Sequence, residues 1–302
     1  MKTVTCAALV AAGLAAGSLG LSAAATARLT YLASAYSDKL EVGLRLPEGV
    51  TCGADGQVVV ADTGNNRLVR FTYRDRVLVA GLAITVPQLT SPSRVHLNSK
   101  GDIFALDSRQ HRIVRLGADG QFKSVLAYGG IPAPATVVPK SFAIDAADNL
   151  YVLDEFGWRV LVLDGEGRFQ RALPLPADAR FIGDLAVDFE GNVLLIDAIG
   201  RRLYSSPKAA GPFAPLGGDL SASVATAPSS ITPTRGLILV AEGSGGTIDI
   251  FGRDGRFSAR QLTEGWEEGQ VRYPSQLCVN DKDEVFIADR DNSRLQAFQL
   301  TR

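Results

Sequence analysis

Histidine is almost missing from this sequence: His96 and His111 are the only two in 302 residues. A catalytic zinc commonly takes three protein ligands, often histidines. Neither His96, on an apolar segment, nor His111, in a polar one, is expected to bind a metal. Excess charge is missing as well. Lysine and arginine (31) balance aspartate and glutamate (32) to a formal net charge of −1, so there is no basic stripe to suit a nucleic acid. No Gly-x-Ser-x-Gly elbow, Walker loop or dinucleotide fingerprint occurs. Helical periodicity is absent. Beyond residue 27 no apolar run reaches membrane-spanning length. Cysteine is sparse, with Cys52 and Cys278 as the only two beyond that point.

What the chain does have begins with a leader. Met1-Lys2 precedes a run of Ala, Gly, Leu, Val, Ser and Thr that ends in Ala25-Thr26-Ala27, a small-x-small cleavage pattern. Residues 1–27 read as a secretory signal peptide. That leaves 28–302 as one mature domain, periplasmic or extracellular, with no membrane span after cleavage.

The mature chain repeats. An apolar strand ends in an acid, a short polar loop follows, and a second apolar strand opens, usually with Arg. The acids are Asp62, Asp107, Asp154, Asp197, Glu242 and Asp289, spaced 45, 47, 43, 45 and 47 residues apart. Each copy holds four strand-sized segments. In the second copy these are 94–97, 102–106, 112–116 and 122–126, separated by Lys100-Gly101 and Asp119-Gly120 turn signals. Four short strands at this pitch predict an all-β fold, a six-bladed β-propeller. The sixth copy stops after its third strand, while residues 28–34 form a spare strand at the other end. An N-terminal strand completing the last blade is therefore expected to close the ring.

The strings Pro47-Glu48-Gly49-Val50, Ala61-Asp62-Thr63-Gly64-Asn65-Asn66-Arg67-Leu68 and Ala288-Asp289-Arg290-Asp291-Asn292-Ser293-Arg294-Leu295 resemble NHL repeats. The resemblance covers about 28–302 and implies the same propeller. It says little of function, because propellers host unrelated activities. The propeller lyases of similar fold that cleave peptidyl-hydroxyglycine use several histidines, which this chain lacks. The calcium-dependent propeller lactonases set oxygen ligands where inner strands enter the channel. The positions here are Glu48, Arg94, Lys140, Asp184, Ser229 and Ser275, two acids against two bases, which suits a hard cation poorly.

The repeated Asp-x4-Arg reads as a loop-fixing ion pair with hydrogen bonds. Cys52 and Cys278 fall on opposite faces of neighbouring blades. They are expected either to bridge as a disulfide, which export permits, or to stay as buried thiols.

The remaining signal is one end face. Connectors and second-to-third-strand loops emerge there together, bringing Glu48, Arg94, Lys140, Phe156, Trp158, Asp184, Trp266 and Arg290. Exposed Trp and Arg anchor interfaces, although Phe156 and Trp158 could equally cover the edge of their own blade. The expected function is a monomeric scaffold that binds a protein or peptide partner, with no catalytic residue, metal or cofactor. The alternative is a lactonase-like propeller hydrolase or lyase working in the channel.

Overall fold

A computed structural model describes residues 27–208, 211–218, 220 and 227–302. The expected leader, Ala27 aside, lies outside the described residues, as do parts of the connector between blades four and five. The strands make six four-stranded antiparallel sheets. Each inner strand neighbours that of the next blade, and the sixth returns to the first, so the sheets are blades around a central channel. The inner strands are Gly49–Cys52, Pro92–Leu97, Pro139–Ile144, Ile182–Val187, Pro228–Pro233 and Pro274–Val279. Blade two continues outward through Ile103–Asp107, Arg112–Leu116 and Phe122–Val125, within one or two residues of the segments expected. Among the described residues no helix is long and apolar enough to cross a membrane.

Six apolar clusters fill the seams, one between each pair of neighbouring blades. This explains why the second strands read as unbroken apolar runs. In Val58-Val59-Val60-Ala61, Val58 and Val60 face blade six, while Val59 and Ala61 face blade two. Side chains alternate across a strand, and here both faces are covered. Each fully buried Val or Leu contributes about 1.5–3 kcal/mol.

The ring closes as expected. Arg28–Ala35 pairs antiparallel with Arg294–Thr301, from Arg28 opposite Thr301 to Ala35 opposite Leu295. Leu29 then joins the seam between blades five and six, and Ala35 the seam between six and one. Cys52 and Cys278 join as a disulfide across that second seam, with Cα atoms 5.9 Å apart.

At the end where second strands stop, the repeated acid does the same work in every blade. Asp62 accepts the Arg45 N–H (2.6 Å), Asp107 that of Thr90 (2.7 Å) and Asp154 that of Val138 (3.1 Å). Asp197 accepts from Arg180 (2.8 Å), Glu242 from Ala227 (2.9 Å) and Asp289 from Arg272 (2.7 Å). All six carboxylates are buried. For Asp289, burial pushes the carboxyl above its ordinary range, against the pull of its hydrogen bonds and of Arg294. In blades three and four the loop needs glycine here, because a Cβ on Gly157 or Gly200 would strike the Asp154 or Asp197 carboxylate. Blade five, with Glu242 in place of Asp, keeps the staple.

The expected ion pair is less general than the staple. Asp62–Arg67 (2.7 Å), Asp154–Arg159 (2.9 Å) and Asp289–Arg294 (2.7 Å) form it. Arg112 donates instead to the Gln88 carbonyl (2.7 Å), and Arg202 reaches out to Asp178 (2.7 Å).

Two outcomes follow from this arrangement. Removing residues 28–36 strips Leu29 and Ala35 from two seams and bares an edge strand, and is expected to cost at least about 3 kcal/mol, read as a lower urea midpoint. Asp154→Ala leaves Arg159 buried without its partner and is expected to cost about 3–5 kcal/mol. Asp107→Ala removes only hydrogen bonds and is expected to cost about 1–3 kcal/mol. Equal losses in the two variants would show that the ion pair adds nothing to the staple.

Candidate functional site

Because the staples fix the connectors to the second-to-third-strand loops, one end of the ring is a firm platform with variable side chains. Glu48 and Arg290 meet at its centre (3.2 Å), and Arg290 also bonds Asp291 (2.6 Å) while lying 5.1 Å from the Tyr273 ring centroid. Lys140 bonds Glu155 (2.9 Å) and stands 3.8 Å from the Phe181 ring centroid. Phe181 and Tyr273, with Glu48, Arg94 and Arg290, line a cavity of about 360 Å³ at this mouth of the channel.

Arg94 crosses the channel. From blade two its guanidinium donates to the Ser229 carbonyl of blade five (2.9 Å) and the Glu48 carbonyl of blade one (3.3 Å), and its Nε lies 3.8 Å from Asp184 of blade four. Asp184 is inside the channel at 4% exposure, not on the face. Its carboxylate accepts the Ser141 hydroxyl and the Ile231 N–H, and burial pushes its pKa up. The residues at this mouth do not fit a calcium ion. Asp184 is engaged, Glu48 faces Arg290, and Arg94 and Lys140 add positive charge where a hard cation needs a shell of free oxygens.

The aromatic positions fall in two places. Phe156 (60% exposed) and Trp158 (41%) project from blade three, near the Lys140–Phe181 contact, whereas Trp266 (73%) stands on the connector that enters blade six. There its carbonyl accepts from Arg294 (2.9 Å), and neighbouring Glu268 accepts the Tyr36 hydroxyl (3.2 Å). So the structure groups Glu48, Arg94 and Arg290 at the mouth, sets Lys140 beside blade three's aromatics, and keeps Trp266 apart from them.

Other exposed apolar side chains share this end without having been singled out: Tyr36, Leu40, Val42, Leu46, Phe181, Ile199 and Tyr273. Among the described residues the remaining large exposed ones are Val77, Val79, Leu82, Phe122 and Phe257 on outer strands, and Phe189 at the opposite mouth. Aligning the repeats finds the signal. Phe181 takes the place of Ser91, and Tyr273 that of Leu46, each just before its inner strand. Leu46, Trp158 and Tyr273 share a further oddity, a left-handed backbone with φ of 45°, 50° and 52°. Trp158's loop position is left-handed in every blade, where the others carry Asn66, His111, Arg201, Gly246 and Ser293; of these, Asn66 and Gly246 take the conformation most easily.

Below Arg94, His96 lies in the channel with its ring edge-on to Phe142 (4.9 Å between centroids) and Nε2 3.4 Å from the Gln276 amide nitrogen. Desolvation, with Arg94 adding to it, pushes its pKa down to about 4. The folded chain thus keeps His96 neutral where the unfolded chain protonates it from about pH 6.5. Stability present at neutral pH is therefore lost as pH falls from about 6.5 to 4, by at most about 3 kcal/mol from this group. His96→Gln is expected to flatten that part of the pH profile in urea unfolding at pH 7 and pH 4.5.

The NHL repeat model matches residues 44–71 and 271–298, the repeats that meet at the closing seam. No curated protein matches the chain in sequence. Among solved structures it is similar to a streptogramin B lyase, at 14% identity and TM-score 0.63 over 91% of this chain and 98% of that one. It is also similar to the virginiamycin B lyase of Staphylococcus aureus, at 14% identity and TM-score 0.58 over 83% and 80%. A third is the calcium-binding protein regucalcin of Agrobacterium tumefaciens, at 12% identity and TM-score 0.61 over 89% and 94%. At such identities the likeness speaks for the fold alone. With its repeats, its six closed sheets and the two matched segments, the chain is an NHL-repeat protein folded as a six-bladed β-propeller.

Proposed function

We propose that this chain is a binding scaffold that holds a protein or peptide segment across its connector end, in the periplasm or outside the cell. The observation that carries the reading is the gathering of exposed apolar side chains on that end, three of them in left-handed backbone. A left-handed L-residue costs roughly 1–2 kcal/mol, less for Asn or Gly. Strain of this kind is kept where a side chain must be presented. Phe156 and Trp158 beside Lys140, and Trp266 beside Tyr36, are the anchors, and a partner long enough to touch both crosses the mouth between them. The apolar run at 1–27 and the Cys52–Cys278 bridge support export.

The second reading is a lyase or lactonase-like enzyme acting in the channel, and the likeness to the streptogramin B lyase and the virginiamycin B lyase favours it. Against it stand the engaged Asp184 and the separation of the two histidines, His96 in the channel and His111 in a loop of the connector end.

Trp158→Asn separates a binding role from a covering role. As a strained anchor, Trp158 is expected to give a variant about 1 kcal/mol more stable that no longer captures its partner from a native envelope extract, as Phe156→Ala and Trp266→Ala also should not. A less stable Trp158→Asn, or capture unaffected by all three changes, would overturn the assignment of this face and turn attention to a lactone and ester substrate screen.

A further inference from the structure

The channel also has a chamber of about 500 Å³ open at the other end, and the binding reading above makes no use of it. Arg94 bridges the ring above it, so the chamber is approached from the side of the first-to-second-strand turns. Its volume suits a small organic ligand. Ala143, Leu185, Val187, Ile231 and Leu277 supply apolar wall, and Gln276 and His96 supply a polar floor.

The turns at its rim differ in charge from blade to blade. In blade two Asn98 Oδ1 holds the turn by accepting the N–H groups of Lys100 (3.1 Å) and Asp102 (2.8 Å). In blade six Asn280 does the same for Lys282 (3.0 Å) and Glu284 (2.9 Å). Blades three and four make identical bonds with carboxylates: Asp145 to Ala147 and Asn149 (both 2.9 Å), Asp188 to Glu190 (2.9 Å) and Asn192 (2.8 Å). An amide serves the backbone as a carboxylate does, but each carboxylate also accepts the Nδ2 of the Asn four residues on (Asn149 and Asn192, both 2.9 Å), and Asp145 accepts the Tyr151 hydroxyl (3.2 Å). These two charged turns are the ones that line the chamber. Asp184 lies deeper and is matched by Arg94. Of the cations, Lys208 lines the chamber, Arg253 pairs with Glu190 of the blade-four turn and acts on Asp188, and Arg235 sits outside, 5.9 Å from the ring centroid of the rim residue Phe189.

We propose that this chamber binds a small organic cation, its ammonium at the Asp145–Asp188 rim and its apolar body against the inner-strand walls. Opposite charge at the rim and an apolar interior together select such an amphipathic amine over an anion of the same shape.

The test titrates the mature protein calorimetrically with phenethylamine and with 3-phenylpropionate, which share a body and differ in charge. The amine is expected to bind about tenfold or more tightly than the acid. Asp145→Asn/Asp188→Asn keeps the backbone bonds of the turns, as Asn98 and Asn280 do, but gives up acceptors for Asn149, Tyr151 and Asn192. It is expected to stay folded with a lower melting point and to lose about tenfold in amine affinity. Ala146→Trp, at the exposed rim, is expected to block the amine, whereas Trp158→Asn at the opposite end leaves it unchanged. Absence of amine binding, equal binding of amine and acid, or a double variant that binds the amine as the wild type does, would each overturn the proposal. None of these results bears on the connector end.

Discussion

Asp62, Asp107, Asp154, Asp197, Glu242 and Asp289 stand where each second strand ends, sealed from solvent and holding a backbone N–H of the connector that leads into the same blade. A buried carboxylate left without donors would be costly, so each loop must fold to meet it. The constraint is met by the backbone, which leaves most loop side chains free to vary. That is how blade three can carry Phe156 and Trp158 on the same scaffold that elsewhere carries Gly64 and Asn66, or Ser244 and Gly246. Rigidity and variability come from one arrangement, and both suit a surface that recognises.

The channel follows a different logic. Its lining is made by six short strands of unlike sequence, and Arg94 alone reaches three other blades. The guanidinium satisfies carbonyls that inner strands would otherwise leave facing one another, and with Asp184 it divides the ring into two ends of different character. One is broad, aromatic and mixed in charge. The other opens into the larger chamber, with Asp145 and Asp188 at its rim.

Much of this was legible in the sequence. Spacing of the acids set the blade count, the Gly-containing turns set the strand bounds, and the missing fourth strand of the last repeat pointed to closure by 28–34. The candidate face was legible only as a set of loops. Asp184 occupies the same repeat position as Ser141 and Gln276, and nothing local says that a neighbour two blades away will cover it. Likewise Arg112 and Arg202 stand five residues beyond an Asp, as Arg67 does, yet bond elsewhere, because the connectors of their blades offer other acceptors. Phe181 and Tyr273 stand in connectors whose sequences share no motif that would mark an exposed aromatic there. Long-range packing, which depends on how six unlike repeats meet, decided each of these.

The pairing of Arg28 with Thr301 has a last consequence. Since the first and last strands lie side by side in one sheet, the ring has a cyclic order with no intrinsic first blade. A chain joined there and reopened at another exposed turn, such as Asp75-Arg76, would keep every strand pair it has now. What the present opening adds is a single place, the seam of blades six and one, where a strand from one end of the chain and a bridge between distant cysteines act together as a clasp.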